Sequence, residues 1–259
     1  MNARLVAIRL LACALLAGCG GSGVETPAPD PVPAPAPPLA TPPPRVDLAP
    51  VCREIDDTYR CGRAVERYQM RRAPRWVSRT GKTLTIHLAD GGRKTFVDSD
   101  SVNAAAVLYT YREFLPEIRY HLVHAHLNEG TGYLLVSHRS GDLVRIQGLP
   151  IVSPDGGRFA TASEDLESRY NPNEIQIWRI TRNAAVLEWS LEPAGDPVTI
   201  TPAAWGPANL RWLSPTEIRV QKVTYDPETF QKFFGEEVAI RRVRGRWTVS
   251  QTGMSGLLN

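Results

Sequence analysis

The sequence has few cysteines, little net charge and none of several common catalytic motifs. Only four of its 259 residues are cysteine, and 30 Lys and Arg against 27 Asp and Glu give a net charge of +3. This balance gives no electrostatic reason to expect a nucleic acid or an anionic membrane surface as a partner. The nucleophile elbow G-x-S-x-G, the zinc motif H-E-x-x-H and the P-loop are missing, so no motif supports an enzyme of those classes.

Long hydrophobic runs are also missing, apart from a short one near the amino terminus. Arg4 and Arg9 precede an apolar run over residues 10–17, which is too short to span a bilayer. A positive region followed by such a run is typical of a secretory signal peptide. We therefore expect residues 1–18 to be removed, and the loss of two Arg lowers the net charge from +3 to +1.

The run ends in Leu16-Ala17-Gly18-Cys19, which resembles the lipobox of bacterial lipoproteins. The resemblance implies cleavage before Cys19 and attachment of lipid to its thiol, with a palmitate-type acyl anchor. Two or three acyl chains hold a protein stably, whereas one does not. Gly20 follows where Asp would imply inner-membrane retention, so the resemblance implies the outer membrane, facing the periplasm. The alternative is an ordinary signal peptide that happens to contain a cysteine.

Proline is concentrated behind this cysteine. Eleven of the 24 residues over 27–50 are proline, half of the 22 in the chain. Proline fixes φ and pushes the preceding residue towards extended geometry, which favours a stiff polyproline II spacer. We expect residues 19–50 to form a disordered linker that reaches roughly 70 Å at about 3.1 Å per residue. A ligand for a peptide-binding module is the alternative reading of this stretch.

Cys52 and Cys61 are the thiols that remain once Cys13 leaves with the signal and Cys19 is lipidated. An oxidising compartment and a spacing of nine residues favour one disulfide between them. Unpaired thiols or a metal site are the alternatives, although two cysteines alone do not complete a zinc site.

Residues 51–74 predict a helical appendage. Asp57 or Thr58 caps the sequence "YRCGRAVERYQMRR", Arg71 and Arg72 lie at its end, and Pro74 stops it. An apolar stripe for packing on a sheet is expected at Tyr59, Ala64, Val65 and Tyr68. A second short helix is possible over residues 101–108.

Residues 75–259 predict a β-rich domain, because apolar and polar residues alternate between turn signals. The Gly and Asn dipeptides of these turns supply the positive φ that tight hairpins need. The expected turns lie at 90–92, 128–132, 140–141, 182–183 and 244–245.

The strings "SPDGGRFATAS" and "IQIWRI" resemble one blade of the WD40 or TolB-like β-propellers, in which Ser-Pro-Asp-Gly forms a turn. Turns at Gly141 and Asn183 lie 42 residues apart, but Gly245 follows only after 62, with an insertion around 225–235. At most four blades are present. The predicted fold class is therefore mainly β, an antiparallel meander that is propeller-like or an open curved sheet, with one amino-terminal amphipathic helix.

Histidines and acids supply the candidate sites. On a strand, His124 and His126 share one face and His121 takes the other, so His124 and His126 are candidate metal ligands that lack a third partner. Half-exposed strand residues are the plainer reading, and we expect no metal and no cofactor. The acidic loop of Glu164, Asp165 and Glu167 is a candidate site for Ca²⁺ or a cationic partner, although a solvated loop explains it as well.

Aromatic residues form a further candidate surface. These residues either line a binding surface or pack in the core. The set consists of Trp178, Trp189, Trp205, Trp212, Trp247, Tyr133 and Tyr225.

These features predict a lipid-anchored envelope protein with a non-catalytic binding or scaffolding role. Its partners would be the membrane, through the lipid, and an envelope protein or a cell-wall component, but no nucleic acid. One alternative is a hydrolase of cell-wall or exported substrates, because a carboxylate pair leaves no mark in linear spacing. Another is an inhibitor-type lipoprotein.

Overall fold

The computed structural model describes residues 43, 45–100, 106–167, 170–182, 184–193, 205–226, 228–229 and 231–251. All of these belong to one compact unit. The predicted signal peptide, Cys19, most of the linker and the turn residue Asn183 lie outside the described residues.

The described residues contain two helices and fifteen strands. The helices are α1 (Ala49–Cys52) and α2 (Thr58–Arg72). The first seven strands are β1 (Val77–Thr80), β2 (Thr83–His87), β3 (Arg93–Val97), β4 (Val107–Leu115), β5 (Tyr120–Leu127), β6 (Thr131–Ser137) and β7 (Leu143–Ile146). The others are β8 (Ile151–Val152), β9 (Arg158–Ser163), β10 (Glu174–Ile180), β11 (Ala185–Leu191), β12 (Gly206–Ser214), β13 (Glu217–Tyr225), β14 (Lys232–Val243) and β15 (Arg246–Gln251).

The strands form four antiparallel sheets in which neighbours in the chain are neighbours in the sheet. Sheet A is β1–β3, sheet B is β4–β7, sheet C is β8–β11 and sheet D is β12–β15. Four-stranded meanders of this kind are the unit of a propeller blade. The expectation of a mainly β antiparallel meander is confirmed.

Three buried clusters join the sheets in chain order. Leu84 of sheet A and Val123 of sheet B belong to one cluster, and Leu122 of sheet B and Phe159 of sheet C belong to another. Ile177 of sheet C and Ile240 of sheet D share the third cluster. Because alternate residues of a strand face opposite sides, sheets B and C bury both faces. No buried cluster joins sheet D to sheet A among the described residues, so the stack is open there.

Helix α2 begins and ends as predicted. The Asp57 carboxylate accepts a hydrogen bond from the backbone N–H of Arg60 at 2.6 Å. Arg71 and Arg72 lie in the last turn, where cations oppose the helix dipole. The expected apolar stripe is only partly correct, since Val65 is its one buried member and the other buried residues of α2 are Glu66 and Gln69. Polar side chains therefore carry much of the contact between α2 and the sheets.

The structure pairs Cys52 and Cys61 in a disulfide. The cysteines lie at the end of α1 and in the first half of α2, with their Cα atoms 5.2 Å apart. This distance lies within the range that disulfide geometry requires. The bond therefore ties the chain that enters the domain to α2.

Two expectations about local structure are corrected. Val107 and Leu108 open strand β4 and are not helical, because they pair with Leu127 and His126 of β5; residues 101–105 lie outside the described part. The expected insertion around 225–235 is the far end of the β13–β14 hairpin, since Tyr225 pairs with Lys232. In both places the pairing partner decides the structure, and local sequence does not reveal it.

Candidate functional site

A cleft of about 720 Å³ lies where the start of α2 meets the ends of β5 and β6. It adjoins the turn between β5 and β6 and a loop that follows β9. We call it the tyrosine–histidine cleft and define it by Tyr59, His124, His126, Thr131, Tyr133 and Asn171. Its volume falls in the range of small-ligand pockets.

Strand β5 places the two cleft histidines side by side. The rings of His124 and His126 have their centroids 3.8 Å apart, which their shared strand face allows. Tyr133 lies opposite His124 on β6 and stacks on its ring at 4.5 Å. Tyr59 of α2 meets the His126 ring edge-on at 5.3 Å. Four aromatic rings therefore form one continuous wall.

Hydroxyl groups hold the imidazoles in place. Nε2 of His126 is hydrogen-bonded to Oγ1 of Thr110 at 2.9 Å, and Nε2 of His124 is hydrogen-bonded to Oγ1 of Thr131. The backbone N–H of Thr131 donates to Oδ1 of Asn171 at 2.9 Å. These bonds fix both ring orientations and attach the loop that carries Asn171 to the cleft.

Both cleft histidines are neutral at neutral pH. Burial lowers the pKa of His124 to about 3, with further lowering from His126 and Arg112. Burial also lowers the pKa of His126, although Asp57 and Asp98 oppose this. Burial raises the pKa of the Tyr133 phenol, so that group stays protonated. The wall therefore offers neutral donors, acceptors and ring faces, which suit an uncharged polar ligand.

A glycine brings α2 close enough to form one side of the cleft. A Cβ atom at Gly62 would lie 2.6 Å from Oγ1 of Thr110 and 3.0 Å from Nε2 of His126. Real Cβ atoms do not approach other atoms as closely as 2.6 Å, so a larger residue would push α2 away. Sequence reasoning missed Gly62, and the only available signal was a glycine inside a helical pattern.

The three histidines lie on two faces of β5, as the two-residue period of a strand predicts. His121 faces the other side of β5, where it is fully buried between Tyr111 Oη at 3.0 Å and His138 Nδ1 at 2.9 Å. Burial lowers the pKa of His121 to about 3. In the part of the chain that the structure describes, no group of three His, Cys, Asp or Glu residues is arranged to hold a metal ion.

The acidic loop is used within the fold. Glu164 forms an ion pair with Lys232 of β14, and Asp165 accepts hydrogen bonds from the backbone N–H of Asn171 at 2.8 Å and from its Nδ2 at 3.1 Å. Glu167 is exposed. Asp165 therefore helps to position Asn171, which links this loop to the tyrosine–histidine cleft.

Most of the aromatic candidates pack in the core. Trp247 is buried between sheets C and D, and Trp189, Trp205 and Trp212 pack against the same cluster. Trp178 packs against the cluster between sheets B and C. Tyr133 is the member of the set that lines the cleft.

No described helix combines the length and the apolar character needed to cross a membrane.

Comparison with known proteins assigns no family to this chain. No protein-family model matches the sequence, and no curated protein matches it. Among solved structures, the N-terminal domain of Nup159 aligns at 9% identity with a TM-score of 0.33, over 68% of this chain and 47% of that domain. The matched part thus spans about half of the Nup159 domain. A candidate 6-phosphogluconolactonase from Bacteroides uniformis aligns at 14% identity with a TM-score of 0.30, over 71% of this chain and 68% of that one.

Proposed function

We propose that the protein is a lipid-anchored module of the bacterial envelope that binds its ligand without catalysis. Lipid on Cys19 would hold it at the outer membrane, facing the periplasm, and the proline-rich linker would hold the β domain away from the lipid. The lipobox-like sequence and the eleven prolines behind it support this arrangement.

The tyrosine–histidine cleft is the observation that carries the binding role. It combines four aromatic rings with hydroxyl and amide groups that are held by hydrogen bonds. Ligand sites commonly pair apolar or aromatic walls with a few oriented polar groups. Because its histidines are neutral, the aromatic wall of the cleft fits an uncharged polar unit of a cell-wall component or an envelope protein, and Asp57 and Asp100 also line the cleft.

Site-specific photocrosslinking in intact cells tests this proposal. A photoreactive amino acid replaces Leu127, which is 40% exposed at the cleft, and in a matched control it replaces Leu143, which is 43% exposed on β7. We expect a discrete adduct from position 127 that is absent from position 143 and is reduced by His124→Ala. Identical products from both positions, or no adduct at position 127, would contradict binding in the cleft.

A further inference from the structure

We propose that a second site binds a phosphate-bearing ligand. A groove of about 580 Å³ runs between the exposed face of α2 and the β1–β2 turn. We call it the arginine groove and define it by Arg60, Arg63, Arg67 and Lys82. The groove shares Tyr59, Asp100 and Leu108 with the cleft, but its proposed ligand does not depend on the function proposed for the cleft.

Helical spacing aligns the three arginines. Arg60, Arg63 and Arg67 are separated by three and then four residues, so they lie in one row on α2 with neighbouring Cβ atoms about 5–6 Å apart. Lys82 faces this row from the β1–β2 turn and completes the lining. Four cationic side chains therefore border one groove.

The acids in and beside the groove are already paired. Arg79 binds Glu66 through Nε at 2.7 Å and Nη2 at 3.0 Å, and it binds Asp98 at 2.9 Å. Lys82 binds Asp100 at 2.7 Å. Arg63 reaches Glu66 only at 3.4 Å, as a second partner of that carboxylate.

Arg60 and Arg67 consequently have no acidic partner among the residues that the structure describes. Both side chains are exposed beside the groove. The groove therefore carries a local surplus of positive charge, with two guanidinium groups free to bind an anion.

The form of this charge favours phosphate. Guanidinium groups bind phosphate oxygens through paired hydrogen bonds. A phosphate monoester carries a charge of about −1.5 to −2 at neutral pH, which matches two unpaired arginines better than a single carboxylate does. A soluble sugar phosphate and a monoester lipid headgroup share this chemistry, and experiment separates them.

Calorimetric titration of the full chain tests the site. The probes are glucose 6-phosphate, with glucose as its uncharged counterpart, and phosphatidylcholine vesicles with or without phosphatidic acid. We expect Arg60→Gln/Arg67→Gln to weaken phosphate binding by about tenfold or more, since charge-assisted contacts are the strong ones. Arg179→Gln/Arg182→Gln removes the same charge from exposed positions on β10 and in the turn between β10 and β11. This control variant should leave binding unchanged.

Each outcome decides the proposal. Binding of glucose 6-phosphate, or of phosphatidic acid vesicles alone, supports it and identifies the source of the phosphate. No binding of either probe, equal binding of glucose, or equal losses in the two double variants overturns it. His124→Ala should leave phosphate binding intact, so failure of this site and failure of the cleft proposal are distinguishable.

A second readout needs no variant. Phenylglyoxal modifies accessible arginines, and peptide mass spectrometry locates the modified residues. Glucose 6-phosphate or phosphatidic acid vesicles should protect Arg60 and Arg67 from modification and leave Arg179 and Arg182 reactive. Equal reactivity of Arg60 and Arg67 with and without both probes would also overturn the proposal.

Discussion

Glu66 shows at the scale of one residue how this fold tolerates a buried charge. Its carboxylate accepts hydrogen bonds from Arg79 on sheet A and from the backbone N–H of Tyr111 on sheet B. Arg79 is itself nearly buried and also binds Asp98. A buried ion pair adds little net stability, but removal of one partner leaves an unpaired charge behind. The cluster therefore determines how α2 is placed on the sheets.

Replacement of Arg79 by Met should destabilise the protein strongly. It leaves Glu66 buried without its cation, and breaking such a pair costs about 3–5 kcal/mol. Urea denaturation measures the loss, and Arg93→Met at an exposed position of β3 serves as the control. A similar, small effect of both substitutions would show that the cluster is not needed for stability.

The buried histidines predict a loss of stability in mild acid. His121 and His124 have pKa values lowered to about 3 by burial, against about 6.5 in the unfolded chain. Between these values the unfolded state binds more protons, so stability falls as the pH decreases. The expected slope is about 1.4 kcal/mol per pH unit for each histidine, beginning near pH 6.5.

Urea denaturation at pH 7, 6 and 5 measures this slope above the range where most carboxylates titrate. His124→Gln should reduce the slope by about 1.4 kcal/mol per pH unit, because the contribution of that histidine is removed. A free energy of unfolding that stays constant between pH 7 and pH 5 would contradict the burial of these rings.

At the scale of elements, the contact between α2 and β4 depends on Gly62. Alanine is normally favoured over glycine in a helix by about 1 kcal/mol. Here its Cβ would meet Oγ1 of Thr110 at 2.6 Å, and such overpacking costs about 1–3 kcal/mol. We expect Gly62→Ala to lower both stability and ligand binding in the cleft.

Thr110→Ala combined with Gly62→Ala should recover part of the lost stability, because the clashing hydroxyl is gone. Thermal and urea denaturation of the single and double variants form a mutant cycle that measures this recovery. If Gly62→Ala stabilises the protein as an ordinary helix substitution does, the close packing of α2 on β4 is wrong.

The disulfide joins α1 to α2 and should stabilise the folded state by restricting the unfolded chain. A loop this short corresponds to about 2–3 kcal/mol in the chain-entropy model. Cys52→Ser/Cys61→Ser should lose that amount in urea denaturation. Alkylation of the denatured, unreduced protein should find both thiols unreactive, and labelling of either would contradict the bond.

At the scale of the whole molecule, buried clusters join sheets A, B, C and D in chain order, and among the described residues none joins sheet D to sheet A. Arg241 pairs with Glu217, and Arg211 pairs with Glu237, on strands of the terminal sheet D. Arg242 reaches Glu188 of sheet C at 3.1 Å. Arg241 and Arg242 therefore form ion pairs within sheet D and between sheets C and D.

Attachment of the whole molecule to the membrane is predicted to depend on one thiol. Cys19→Ala should move the protein from the membrane fraction to the soluble periplasmic fraction, because acyl chains supply the anchor. Cys13→Ala, within the predicted signal peptide, is the matched control and should leave the protein in the membrane fraction. Membrane association that survives Cys19→Ala would contradict lipidation at this position.

Features that depend on neighbouring residues were predictable from the sequence. The Asp57 cap and the Arg71-Arg72 end of α2 follow from local hydrogen bonding and the helix dipole. The hairpin turns follow from backbone geometry, as the positive φ of Gly91, Gly141 and Gly245 shows. The shared face of His124 and His126 follows from the period of a strand.

The candidate site itself was decided by contacts between residues that are distant in the sequence. The backbone N–H of Thr131 bonds to Asn171, which is 40 positions away, and Oγ1 of Thr110 bonds to His126, which is 16 positions away. For the same reason the sequence did not predict that β4 begins at Val107, whose pairing partner on β5 is Leu127. By itself the sequence determined turns, caps and strand faces, because these are local. Only the tertiary structure decided which faces meet, and therefore where the cleft and the groove lie.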